Sequence, residues 1–183
     1  AQNCFFEKDI GPFTGSISSS MIKKIGCKYV IIGHSENRAQ GETDIQINQK
    51  IHNAITDNLN VIFCIGENLI EKKNKKTNNV LKKQIKLGLK KIKKINKIIF
   101  AYEPVWSIGT GKILTNKELK NQILSIKSFI KTKFKKQKAQ IIYGGSVNNK
   151  NINDLKNIKE INGFLIGGAS QNSKKFIDII QKT

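Results

Sequence analysis

Three kinds of residue in this chain have the chemistry of an active site, and each follows a short apolar run. His34 stands in VIIGHSEN, after one run and before a polar stretch that reads as a helix start. Glu103 closes another, in AYEPVWSIGTGK. Two glycine turns, Gly144-Gly145-Ser146 and Gly167-Gly168-Ala169-Ser170, close two more. A carboxylate at a strand end can serve as a base, and a neutral imidazole can donate a hydrogen bond to a polarised oxygen. Main-chain N–H groups without side chains in front of them can hold a phosphate. Beyond Glu103, Pro104-Val105-Trp106 is stiff and Gly109-Thr110-Gly111 permissive, which suits the two ends of a lid that excludes water. Plainer readings stand beside these. His34 would serve equally as a core or capping histidine, one glycine turn is what any tight strand-to-helix connection needs, and the lid segment could be a surface loop. Cys64 reads as core packing and Glu67 as a structural ion-pair partner.

The elements that must position these residues alternate. Five β-like runs, Tyr29–Ile32, 61–65, Ile98–Tyr102, 141–143 and 163–166, are nearly all apolar, as expected for buried parallel strands. Between them lie segments with apolar spacing near 3.6. The spacing predicts helices over 17–25, capped by Ser16 and stopped at Gly26, over 45–59, 81–95 and 117–134, and shorter ones over 152–158 and 174–180. The polar run 71–79 is a helix start or a lysine-rich loop. Repeated βα units mean a parallel sheet, and no Pro-, Gly- or Ser-rich linker divides it, so residues 1–183 read as a single domain. Polar and glycine clusters gather only at the strands' carboxyl ends, where β/α folds bind ligands.

Composition narrows the function classes. The 183 residues are 38% hydrophobic, enough for one core, and no apolar stretch reaches the roughly 20 residues a membrane span needs. Cys4, Cys27 and Cys64 lie far apart with no CxxC pair, which favours buried thiols in a reducing compartment over a disulfide scaffold. The net charge of +20 invites a nucleic-acid partner, yet of 33 basic residues only Arg38 is an arginine, the better fork for bases and phosphates. The lysines ride on helical segments among Asn and Ile, and solvated lysine faces are the favoured reading.

The motifs AQN, GHSEN, CIGE, AYEPVWSIGTGK, YGGSV and FLIGGAS, in this order, closely resemble the triosephosphate isomerase family from Ala1 to the end of the chain. The resemblance implies a (β/α)8 TIM barrel, usually a homodimer in the cytoplasm. It also implies a glycolytic and gluconeogenic isomerase that interconverts dihydroxyacetone phosphate and glyceraldehyde 3-phosphate without a cofactor. It makes Glu103 the proton-moving base, His34 the neutral electrophile, residues 104–112 the lid and Glu36 a supporting carboxylate. Backbone groups of Gly109, Ser146, Gly167 and Gly168 would hold the phosphate. Gly11-Pro12-Phe13-Thr14-Gly15 would reach into the partner subunit; neither nucleic acid nor membrane is an implied partner. The pairing of a carboxylate base with a neutral imidazole is a known property of this family, carried over to these positions residue by residue.

The chain departs from the family's pattern in places. AQN belongs at the end of the family's third strand, so the first two βα units and most of strand three have no counterpart, nor does the substrate-contacting Asn and Lys pair of the first loop. The expectation is a piece of a longer chain with little activity alone. Asn37 replaces a common Arg, and the stretch 39–44 runs a residue short. Two rival readings remain: another phosphate-binding barrel, against which the lid and His-Ser-Glu turn tell, and a basic non-catalytic binding module on the same fold.

Overall fold

The structure, a computed structural model, describes residues 1–7, 11–135 and 137–183. Four parallel strands, β1 (Tyr29–Ile32), β2 (Asn60–Ile65), β3 (Ile98–Tyr102) and β4 (Gln140–Tyr143), pair in chain order. The registers Val61↔Ile98 and Phe100↔Ile141 bring all four carboxyl ends to one side. That is a parallel sheet, as the alternating pattern requires, and it has the strand order of an arc of the β/α barrel that the resemblance implies. Val30, Ile32, Val61, Phe63, Phe100 and Ile141 are fully buried. Ile31, Ile62, Ile99 and Ile142, on the opposite face of the pleat, are only half-buried. The runs look uniformly apolar in sequence, but the helices cover one face more completely than the other.

Helices α1 (Ser19–Lys24), α2 (Ser35–Ala39), α3 (Asp44–Thr56), α4 (Leu69–Lys73), α5 (Thr77–Gly88), α6 (Asn116–Lys133), α7 (Ile152–Leu155) and α8 (Ser173–Lys182) fill the connections. Among the described residues no helix is long and apolar enough to cross a membrane. Reciprocal capping boxes start three of them, through Thr43 and Gln46, Asn68 and Glu71, and Thr115 and Glu118. Each box satisfies two amide donors that the helix itself cannot. The apolar rows of the long helices go inward as the spacing predicts: Ile47 and Ile51 in α3, Leu81 and Ile85 in α5, Leu119, Ile123, Ile126 and Ile130 in α6. Gly88 is required by contact, since a β-carbon there would lie 2.5 Å from the Phe63 ring.

Three expectations need correction. The cap of α1 is Ser18, whose Oγ accepts from the Met21 N–H at 3.2 Å, while the Ser16 N–H is spent in a turn on the Phe13 carbonyl. The segment 81–95 is helical only to Gly88. Beyond it, the Ile95 N–H donates to Gln137 and the Leu89 carbonyl accepts from Lys133, so Leu89 and Ile95 stay buried in a turn held by the α6–β4 connection. The run 163–166 forms a single bridge, Tyr143↔Phe164, with the Leu165 N–H reaching the Tyr143 carbonyl at 2.9 Å, rather than a full strand. The polar run 71–79 divides between the end of α4 and the start of α5. Cys4, Cys27 and Cys64 are free; burial pushes the Cys4 thiol up to about 11, whereas Cys27 is only half-buried.

Candidate active site

Glu103 leaves the end of β3 almost wholly buried, 3% exposed. Its Oε1 lies 3.5 Å from His34 Nε2, and its Oε2 is enclosed without a hydrogen-bond partner. Burial is the main reason its carboxyl titrates above the ordinary 4.5, with the His34 imidazole foremost among the groups pulling the other way. A carboxylate so placed is under-solvated and ready to take a proton. His34 caps α2, and its Nδ1 accepts from the Glu36 N–H at 3.3 Å. An accepting Nδ1 uses its lone pair, so in this arrangement the ring carries its proton on Nε2, the atom turned toward Glu103. The capping reading of His34 holds at Nδ1, and Nε2 is the ring nitrogen that faces Glu103. Glu36 contributes that N–H, while its side chain is 81% exposed with Oε2 3.8 Å from Nδ1.

Close backbone packing sets the position of Glu103. A β-carbon on Gly144 would fall 2.7 Å from Glu103 Cγ and 2.9 Å from Oε1, so glycine at the end of β4 leaves the room in which this side chain lies. A β-carbon on Gly66 would lie 1.8 Å from the Glu103 carbonyl oxygen, so the β2–α4 turn crosses directly against the Glu103 backbone. Cys64 is buried as core packing requires, but its thiol also lies beside the Glu103 carboxylate, and each is counted among the groups that move the other's titration. Arg38, the chain's single arginine, braces the neighbouring strand ends. Its Nε donates to the Gly33 carbonyl at 2.8 Å, Nη2 to the Cys64 carbonyl at 3.4 Å and Nη1 to Asp44 at 2.7 Å.

The segment 104–112 begins in a short 3₁₀ turn, Val105–Ser107, and ends in exposed residues in which Gly109 and Gly111 take φ of +67° and +73°. The stiff and permissive halves lie as the sequence suggests. Glu67 holds the stiff half. Its carbonyl accepts from the Val105 N–H at 3.0 Å, and its carboxylate accepts from Trp106 Nε1 at 2.9 Å and from the Tyr102 hydroxyl. Glu67 is therefore bound by an indole and a phenol instead of the salt bridge expected for it. Ser107, which the sequence did not single out, is fully buried, with its Oγ accepting from the Ser146 N–H at 3.3 Å and lying 3.5 Å from the Tyr143 hydroxyl. A hydroxyl inside an otherwise apolar PVWSIG stretch was the available signal.

The two glycine turns differ. Gly144-Gly145-Ser146 is followed by a turn, and α7 starts only at Ile152, so it does not lead directly into a helix. Gly167 leads into the 3₁₀ turn Gly168–Gln171 ahead of α8, with both glycines exposed. Parallel pairing places His34, Glu67, Glu103 and Ser146 at the carboxyl ends of the four strands, and Gly167 at the same end of the bridged run.

A buried carboxylate facing an imidazole at the carboxyl ends of parallel strands fits the layout of a β/α-barrel enzyme, and this chain is built as one. Comparison with known proteins identifies which. Residues 1–183 match the family model described as triosephosphate isomerase. The chain is 46% identical to the triosephosphate isomerase of Geobacter metallireducens over 186 residues, covering 98% of this chain and 74% of that protein. It is 44% identical to that of Thermodesulfovibrio yellowstonii and 42% identical to that of Chloroherpeton thalassium, each time over 99% of this chain and 74% of the relative. The chain belongs to the triosephosphate isomerase family.

Proposed function

We propose that this protein interconverts dihydroxyacetone phosphate and D-glyceraldehyde 3-phosphate by proton transfer through an enediolate. The observation that carries the reading is the 3.5 Å approach of His34 Nε2 to the buried Glu103 carboxylate. The Glu103 carboxylate takes the proton from the carbon next to the substrate carbonyl. The electrons of that C–H bond form the carbon–carbon double bond, and the carbonyl oxygen becomes an enediolate oxygen. His34 Nε2–H stabilises that oxygen as its charge grows. The hydroxyl proton then passes from the other enediolate oxygen to this one. Glu103 returns its proton to the former carbonyl carbon, which leaves the new carbonyl on the carbon that was deprotonated. Such a proton is weakly acidic, so a placed base and a preset donor are what the reaction demands. Backbone groups of Gly109, Ser146, Gly167 and Gly168 hold the phosphate, the Ser146 N–H being freed from Ser107 Oγ as the lid closes, and Glu36 supports His34 through its own N–H. Residues 104–112 close over the substrate, excluding the water that would promote loss of phosphate.

The exposed loop from Gly11 to Gly15 supports the reading of a homodimer in which this loop docks against a second copy. Free cysteines and a metabolic substrate are compatible with a cytoplasmic site of action. Residues 1–183 act as one β/α-barrel domain in this reading.

The test is isomerisation of D-glyceraldehyde 3-phosphate by the full-length protein, followed as pH falls. Because burial raises the Glu103 carboxyl above 4.5, its base form is lost at a higher pH than an ordinary glutamate's. The substrate's phosphate itself titrates at about pH 6. A plot of log kcat/KM against pH is expected to steepen to a second slope before pH 4.5 is reached. Absence of isomerisation overturns the function, and a single slope down to pH 4.5 overturns Glu103 as the base.

A further inference from the structure

Trp106, the chain's one tryptophan, sits on the stiff half of the lid and is held on its edge and on its face. The edge donates to Glu67 Oε1 at 2.9 Å. The face lies under the Lys72 ammonium, whose Nζ is 3.4 Å from the ring centroid. Lys72 comes from the last turn of α4, and the Asn68–Glu71 capping box fixes the start of that helix. Among the described residues Lys72 Nζ has no salt-bridge partner, so the indole is its direct seat, and its charge also acts on the Glu67 carboxylate beneath. Val105 is tied to the same place through the Glu67 carbonyl. Meanwhile the lid's far end, Gly109 to Lys112, stands in solvent.

We propose that Lys72 is a positioning residue for the lid, a cationic latch on Trp106 that holds residues 104–112 in the resting arrangement with the tip exposed. The inference rests on the reading of this segment as a closing lid. A lid swinging on this stem carries the indole with it, so closure gives up the ammonium–ring contact and the Glu67 hydrogen bond together. A cation–π contact at a partly exposed ring shifts an equilibrium about two- to fivefold. Whatever holds the open state reduces apparent substrate affinity by the fraction of lid that is not closed. Lys72 thus trades affinity for release, and it does so without touching substrate.

The experiment compares Lys72→Met with Lys72→Arg in the full-length protein. Emission of Trp106, the one tryptophan of residues 1–183, is titrated with the equilibrium mixture of the two triose phosphates, with Trp106→Leu as the blank, and KM is measured separately. Lys72→Met is expected to lower the titration midpoint and KM about two- to fivefold. Lys72→Arg, which also stacks on an indole face, is expected to keep both near the original values. In a Trp106→Leu background the same Lys72→Met change is expected to leave KM alone, an outcome that a merely structural lysine would not produce. Lys72→Gln takes the place of Lys72→Met if the latter does not fold. If the protein isomerises triose phosphates but Lys72→Met and Lys72→Gln leave midpoint and KM unchanged, the latch is wrong and the enzyme reading stands. If the protein does not isomerise them, both fall.

Discussion

Glu103→Asp is expected to lower kcat about a hundredfold while leaving KM nearly unchanged. Aspartate keeps the charge and withdraws the carboxylate by one methylene, about 1.5 Å. Nothing nearby can follow it. Gly144 has no side chain to push the shortened group forward, and the Glu103 backbone is pinned against Gly66. On the proposed reading, ground-state binding runs through the phosphate, away from the Glu103 carboxylate, so the loss is expected in the transition state. Steady-state turnover of purified variant and parent, with matching melting curves, is the measurement. Turnover within twofold of the parent would remove Glu103 from the role of base.

His34→Gln removes a fixed donor, and a fall of about 10²–10³ in kcat is expected. A glutamine amide can donate, but it is not held as the imidazole is. His34 is locked by its Nδ1 bond to the Glu36 N–H, and that lock is what aims Nε2 at the space before Glu103. A flexible amide satisfying the Glu36 N–H turns its own N–H group elsewhere. The α2 start loses little, since glutamine can still accept there, so kinetics rather than melting temperature reports the change. A decline of less than tenfold would mean that oxygen stabilisation comes from another group.

The fold was legible wherever the pattern is local. The run from Ile98 to Tyr102 is apolar throughout and forms β3 at those bounds, and the rows Leu119, Ile123, Ile126 and Ile130 fix one face of α6. His34 and Glu103 were legible as ends of strands. What could not be read was decided by distant neighbours. The Arg38 contact to Cys64 spans 26 residues, and the partners of Glu67 lie 35 and 39 positions away. The same residue types at other spacings would have given an ordinary ion pair, which is why the salt-bridge reading of Glu67 failed. Leu89 and Ile95 continue an apolar repeat although the helix has stopped, because burial and helicity need not end together. The run 163–166 was apolar enough for a strand, but only one rung pairs it to β4.

The brace at Arg38 has a practical consequence. Among 33 basic side chains it is the single guanidinium, and its side chain is only 19% exposed. A dicarbonyl compound selective for guanidinium groups therefore has one target among residues 1–183. Its rate of covalent capture would count how often the carbonyls of Gly33 and Cys64 let go of that fork, giving a chemical clock for breathing at the strand tips without any engineered label.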